Sequence, residues 1–279
     1  MLAWRNWNSL YAILSVLTRK QVGKGRAMLK LTQAQLEYLS TLKELPETEH
    51  PEDKCALIWV GGSHAYGIAD EHSDVDVRAA TMPTMRQILL LHDYGERHMP
   101  DSDMVVRSYL KVARMLRDAN PNMVELVNLP IDCILHCDDY GFRLLQLAQK
   151  LAVNTKCKST FSGYAYQQTM LAERREHEGD TSKAYKAMAH ALRVYRMGAV
   201  LLESGEVQVS RVGIDQEELL AIRHGDFDPE QYDLKLLNAK SRFEEAAEHT
   251  RLPQPVSDTE LQDMVLPIVH EYAKCLFNE

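Results

Sequence analysis

Apolar positions recur with two different periods along this chain, and the change between them falls near residue 138. Before that point, residues 57–60 form a short apolar run typical of a buried strand. Residues 73–77 alternate in character and predict a second strand, and a third begins at Asp103. Helical spacing follows Thr32 and recurs at residues 84–91, 108–118 and 123–129. The order of these segments favours a small α/β domain with a mixed sheet.

Beyond residue 138 the pattern indicates helices alone. The predicted helices span residues 140–153, 161–175, 182–203, 215–223, 228–248 and 258–277. We therefore expect an α+β protein in which a mixed-sheet domain, residues 28–137, is followed by an all-helical domain, residues 138–279.

Residues 1–27 differ from the rest, because they carry five basic residues, no acid and both Trp4 and Trp7. A signal peptide would need small residues before a cleavage site, and the apolar run leads directly into Arg19 and Lys20 instead. A basic amphipathic segment for a membrane surface or transit machinery is a second interpretation. We favour the third, an N-terminal extension outside the fold, with Met28 opening the folded protein.

Composition narrows the classes of function. The chain has 279 residues, 45% of them apolar, which is enough for a full core. Its net charge of -8 disfavours a general nucleic-acid coat or a polybasic membrane binder. The chain has five cysteines, an odd number without metal-site spacing, which indicates reduced thiols and a cytoplasmic location. No apolar run in the sequence is long enough to span a membrane.

Candidate chemistry lies at the ends of the first two predicted strands. Gly61, Gly62 and Ser63 end the first apolar run, and glycine lets backbone N–H groups approach a bulky anion. Ten residues after Ser63 comes the second strand, where period-two geometry puts Asp74 and Asp76 on one face. Two neighbouring carboxylates repel each other unless a cation lies between them, and a divalent ion with oxygen ligands is the usual solution. Together these features predict a nucleotide site.

The same residues resemble a known signature. Gly-Ser followed by Asp-x-Asp is similar to the motif of the DNA polymerase β-like nucleotidyltransferase superfamily. The fuller strings, residues 62–67 and 73–78, resemble a bacterial and phage family of predicted nucleotidyltransferases. Further segments similar to that family are residues 120–125, 163–165, 189–193, 222–225 and 251–253.

This resemblance implies a polymerase β-like palm domain that transfers an NMP from an NTP to an acceptor hydroxyl with release of pyrophosphate. It implies two Mg²⁺ or Mn²⁺ ions held by Asp74, Asp76 and Asp103 as catalytic residues and metal ligands. Asp101 is the alternative third acid, and Asp103 is preferred because it adjoins the apolar segment and has the family's distance to Asn120. Gly62 and Ser63 would bind the phosphates.

Basic residues elsewhere extend the predicted nucleotide site. Lys183, Lys186, His190 and Arg193 share a helix face, which is either a clamp for the triphosphate or a solvated stripe; we favour the clamp. Arg78 has two equal alternatives, phosphate binding or pairing with a carboxylate of the sheet. Glu125 is expected to be structural, pairing with a neighbour such as Arg114 or Arg117. The predicted nucleotide-binding residues are Gly62, Ser63, Arg78, Lys186, His190 and Arg193.

The acceptor stays open at this stage. The low pI favours a small molecule or a protein hydroxyl over an RNA 3′ end, since no extended nucleic-acid surface is evident. A catalytically silent nucleotide-binding protein or toxin–antitoxin component is the alternative function. A metal phosphohydrolase is a third hypothesis, although His64 and His72 lack a paired ligand spacing.

Overall fold

The computed structural model describes residues 31–42, 52–99 and 102–278, so the predicted extension 1–27 and Asp101 lie outside the described residues. The strands are β1 (Lys54–Val60), β2 (Val77–Met82), β3 (Glu96–His98), β4 (Val105–Ser108) and β5 (Ile134–Cys137). The helices of the first half are α1 (Gln33–Leu42), α2 (Gly62–Tyr66), α3 (Met85–Leu89) and α4 (Tyr109–Arg117), with short 3-10 turns at Val124–Val127 and Ile131–Cys133. The second half contains α5 (Asp139–Ala152), α6 (Cys157–His177), α7 (Thr181–Ser204), α8 (Gln216–His224), α9 (Pro229–His249) and α10 (Asp258–Asn278).

The five strands form one mixed sheet in the order β3-β4-β2-β1-β5. Strand β1 is antiparallel to both β2 and β5, whereas β2 and β4 run parallel, and β3 closes the far edge antiparallel to β4. Six of the seven residues of β1 are buried, as its near-continuous apolar sequence predicts for an inner strand. The expected α+β architecture with a mixed sheet is confirmed.

The acid-bearing segment differs from the prediction, because residues 73–76 precede β2 and do not belong to it. A local turn holds this segment: the Ser73 N–H donates to the Asp70 carbonyl at 3.1 Å, and the Asp70 N–H donates to the Ser73 hydroxyl at 2.8 Å. Aspartate and serine side chains compete with ladder hydrogen bonds in this way. The predicted alternation survives, since Val75 is buried and Asp74 is exposed.

Other strand predictions were also incomplete. The third strand begins at Val105, two residues later than predicted. Neither β3 nor β5 is evident from the sequence, because runs of three and four residues are too short to establish a period.

The second half is helical as predicted, and all six expected helices are present. Helix α7 is its centre, because α6, α8 and α9 all pack against it and 13 of its 24 residues are buried. Helix α5 packs on β1, and α10 packs on α4 and α5. The proposed domain boundary near residue 138 falls between β5 and α5. Within the described ranges, none of the helices combines the length and apolar character needed to cross a membrane.

Gly141 tests the packing of α5 on β1. A Cβ at Gly141 would lie 2.1 Å from the Ala56 carbonyl oxygen, whereas a Cβ at Gly163 in α6 would meet nothing within 4 Å. We expect Gly141→Ala to lower the free energy of unfolding by about 1–3 kcal/mol through overpacking. Gly163→Ala, the matched control, should raise it by up to about 1 kcal/mol, because alanine is the better helix former. Urea denaturation measures both, and equal effects of the two substitutions would contradict this packing.

Candidate active site

The Gly-Ser turn lies directly against the acid-bearing segment. Gly62 is the first residue of α2 and has φ of 62°, and a Cβ there would lie 1.8 Å from the Asp76 Oδ2 atom. The Gly61 N–H donates to the Asp76 backbone carbonyl at 2.9 Å. Only glycine permits this backbone conformation at such close approach without strain. The Gly-Ser turn and the acid-bearing segment, which begins ten residues after Ser63, therefore form one surface in the fold.

The two carboxylates of this surface differ in exposure. The Asp74 side chain is 70% exposed, while Asp76 is partly buried beside Gly62. The Asp74 Oδ2 atom lies 3.9 Å from the Lys186 Nζ atom of α7. An ion pair of this exposure contributes little to stability. Its significance is geometric, since it brings the helical half of the chain to the acid pair.

Asp103 precedes the N-terminal end of β4, as Asp76 precedes that of β2, but the three acids do not form a cluster. In the parallel β2–β4 ladder Arg78 pairs with Val105, so Asp76 and Asp103 each lie two residues before a paired position. The Asp103 N–H donates to the Tyr38 hydroxyl of α1 at 3.1 Å. Across the described parts of the chain, no three His, Cys, Asp or Glu side chains are grouped closely enough to hold a metal ion.

Arg223 of α8 holds the loop that leads to the acids. Its guanidinium donates to the Ser73 hydroxyl at 2.8 Å and contacts Asp70 at 3.2 Å, and His224 lies 3.3 Å from the same carboxylate. Partial burial opposes ionisation of Asp70, but the hydrogen bond from Ser73 and the charge of Arg223 outweigh it and lower its pKa to about 2. In the sequence, Arg223 and His224 belong to a segment that resembles the family, and no role was predicted for either residue.

A fully buried carboxylate, that of Glu125, lies behind the Gly-Ser turn. It accepts hydrogen bonds from the Trp59 indole at 3.1 Å and from the Tyr66 hydroxyl at 3.0 Å, and it forms an ion pair with Arg78. Although burial opposes it, the adjacent Glu125 charge raises the pKa of Arg78. Of the two alternatives for Arg78, carboxylate pairing is observed. The partners expected for Glu125, Arg114 and Arg117, were wrong, because Arg114 pairs with Asp93 and Arg117 with Asp118 and Asp258.

The predicted basic face of α7 runs from two exposed lysines to a buried arginine. Arg193 is completely buried, with its guanidinium carbon 3.6 Å from the centre of the Tyr66 ring, and it lies 3.1 Å from the His190 Nε2 atom. Burial, followed by the charges of Arg193, Arg78 and Lys186, lowers the pKa of His190 well below 6.5. Lys186 and Lys183 are exposed, and Lys183 pairs with Asp180 at 2.9 Å. Lys186 is therefore the residue of this face that reaches the acids.

The neutral state of His190 predicts a pH dependence of stability. Since the folded state holds His190 deprotonated, its contribution is present above about pH 6.5 and is lost as pH falls below that value, by at most about 1.4 kcal/mol per pH unit. His190→Gln keeps an acceptor for Arg193 without a titratable ring. We expect the variant to lose less free energy of unfolding than the parent protein between pH 6.5 and pH 5. Parallel curves in urea denaturation at these pH values would contradict a histidine that the fold holds neutral.

Comparison with known proteins identifies the family of the chain. Residues 40–266 match the family RlaP, described as the RNA repair pathway DNA polymerase beta family. A search of curated proteins gave no match. Among solved structures, the chain is similar to a nucleotidyltransferase-like protein from Exiguobacterium sibiricum, with 14% identity over 76% of this chain and 74% of that one and a TM-score of 0.29. Because the family match spans most of its length and includes the Gly-Ser turn, Asp74, Asp76 and Asp103, the chain belongs to the RlaP family of polymerase β-like nucleotidyltransferases.

Proposed function

We propose that this protein is a metal-dependent nucleotidyltransferase that moves an NMP from an NTP to an acceptor hydroxyl and releases pyrophosphate. The observation that carries the proposal is the contact between Gly62 and Asp76. It sets a turn suited to phosphate binding directly against Asp76, one of the two carboxylates that are suited to divalent ions. Nucleotidyl transfer requires both features at one place, because the reacting phosphorus carries negative charge that must be held and neutralised.

The donor set fits Mg²⁺ or Mn²⁺. Asp74 is open to solvent, Asp76 faces the Gly62 backbone where no side chain intervenes, and hard cations prefer carboxylate oxygens. Asp103, two residues before β4, is proposed as the third ligand. Bound ions would polarise the phosphoryl oxygens and lower the pKa of the acceptor hydroxyl. The chain itself holds Asp74 and Asp76 in position through the Arg223 contacts to their loop.

The predicted nucleotide-binding residues divide into two groups. Gly62 and Ser63 are the first residues of α2, so their N–H groups are not used within the helix and are proposed to donate to the triphosphate. Lys186, which is 54% exposed, is proposed to approach the same phosphates from α7. Arg78, His190 and Arg193 are proposed to support the site without contacting the nucleotide. Arg78 pairs with Glu125, and Arg193 contacts both His190 and the Tyr66 ring.

The acceptor is proposed from two considerations that point in different directions. The net charge of -8 favours a small molecule or a protein hydroxyl. The description of the family names an RNA repair pathway, which favours an RNA end. We give priority to the RNA 3′ hydroxyl, since the family match covers the whole predicted site. The cytoplasmic location expected from the reduced thiols is part of this proposal.

The first experiment incubates the protein with Mg²⁺ or Mn²⁺, each of the four labelled NTPs, and either RNA oligonucleotides with a free 3′ hydroxyl or a cell extract. We expect pyrophosphate release and a labelled product that depends on both metal and acceptor. Nucleotide binding without transfer to any acceptor would instead favour the catalytically silent alternative.

Substitution of the acids tests their assignment. Asp74→Asn and Asp76→Asn should each lower turnover by at least about 100-fold, because a neutral amide is a poor ligand for a hard cation. The exposed Asp263 of α10 offers a matched control, and Asp263→Asn should leave turnover unchanged. Unaltered metal-dependent NTP binding in both acid variants would refute the metal assignment. Asp103→Asn tests the third ligand. A similar loss of turnover indicates a site of three carboxylates, and unchanged turnover indicates a site of two.

Gly62→Ala tests the turn. The added Cβ combines an unfavourable positive φ with a clash against Asp76, and it should weaken NTP binding by at least tenfold. Gly213→Ala is the control, since Gly213 has φ of 72° and its Cβ would meet nothing within 4 Å. The control carries the backbone strain alone, about 1–2 kcal/mol, and should bind NTP normally. Titration of a fluorescent NTP analogue measures both, and equal weakening would show that the approach to Asp76 is irrelevant.

A further inference from the structure

Arg193 is a buried charge in an unusual setting. It is completely buried, its Nε atom has no hydrogen-bond partner in the described part of the protein, and no ion pair with a described carboxylate involves it. Its contacts are the Tyr66 ring, the His190 ring and the Met197 sulfur. Burying a charge is costly unless other groups compensate it, and the Tyr66 ring and the His190 nitrogen are the groups that do so here.

The Tyr66 ring beneath Arg193 belongs to the helix that carries Ser63. Tyr66 is the last residue of α2, three positions after Ser63, and its hydroxyl donates to Glu125 at 3.0 Å. Its backbone carbonyl accepts from the Arg211 N–H at 2.9 Å, and the Gly67 carbonyl accepts from the Gln216 side chain at 2.5 Å. The helical half of the chain therefore holds α2 at its C-terminal end. Helix α7 contacts Tyr66 through the Arg193 guanidinium and through the His190 ring, whose centre lies 6.3 Å from that of Tyr66.

The same helix reaches the acids. Lys186 lies seven residues before Arg193, which corresponds to two turns and about 10 Å along the helix axis. Its Nζ atom lies 3.9 Å from Asp74. One rigid helix thus contacts the Gly-Ser helix through Arg193 and the acid loop through Lys186. The Arg193–Tyr66 contact is therefore one of the contacts that link the position of Lys186 to that of Ser63.

We propose that Arg193 is a positioning residue whose stack on Tyr66 sets the placement of Lys186 against the Gly-Ser turn and the acid pair. Arg193 does not itself contact the nucleotide. The effect of this stack on nucleotide binding rests on the proposed function. Its effect on the placement of α2 and α7 holds whether or not the protein binds a nucleotide.

A double-mutant cycle on NTP binding tests this role. Arg193→Met retains the length and packing of the side chain without its charge, and it should weaken binding of a fluorescent NTP analogue with Mg²⁺ about tenfold. Lys186→Met should weaken binding by a similar factor. If Arg193 acts through Lys186, the double variant should bind about as weakly as Lys186→Met alone. Independent factors that multiply to about a hundredfold would indicate direct phosphate contact and overturn the proposal.

Two further variants separate positioning from packing. Arg193→Lys restores a cation over the ring and should recover binding to within about threefold of the parent protein. Tyr66→Leu removes the ring and leaves the arginine, and it should show the same coupling to Lys186→Met as Arg193→Met does. Failure of lysine to rescue, or additivity of Tyr66→Leu with Lys186→Met, counts against the proposal.

A readout without nucleotide keeps the two proposals distinguishable. In Arg193→Met, amide hydrogen exchange should accelerate at least tenfold in residues 62–68 and near Lys186, and stay unchanged in α9 and α10. If the parent protein binds no NTP, the proposed function fails while this exchange experiment still decides the role of Arg193. Unchanged exchange at both segments, or acceleration throughout the chain, would overturn it.

Discussion

The candidate site depends on one buried carboxylate. Glu125 has no exposed surface and accepts hydrogen bonds from β1 through Trp59, from α2 through Tyr66 and from β2 through Arg78. Removing one partner of a buried ion pair typically costs about 3–5 kcal/mol, because the other charge is left uncompensated. The three elements therefore hold one relative placement, and that placement brings Gly62 to Asp76.

The helical half of the chain completes this site. Helix α8 holds the acid loop through Arg223, and α7 stacks Arg193 on Tyr66 and brings Lys186 to Asp74. Residues 62–76 of the sheet half carry the proposed phosphate and metal ligands, and residues of the helical half contact them from α7 and α8. The geometry of the candidate site therefore depends on the packing between the two halves as well as on the motif residues.

Much of the fold could be predicted because its signals are local. The six long helices have periods that extend over many residues, and β1 is a continuous apolar run bounded by glycine. The failures have equally local causes. Strands β3 and β5 are too short to show a period, and the Asp70–Ser73 turn replaces ladder bonds where alternation alone predicted a strand.

The sequence by itself predicted a nucleotide site, because a Gly-Ser turn followed at close spacing by Asp74 and Asp76 is a local pattern, and its resemblance to the polymerase β-like superfamily implied the reaction class. It also identified Lys186, His190 and Arg193 as one helix face, since helical periodicity alone sets that relation. Only the tertiary structure decided which of these side chains are exposed and which are buried. Burial depends on contacts between residues far apart in the chain, such as Arg78 with Glu125 and Arg193 with Tyr66, and no local pattern encodes those pairs.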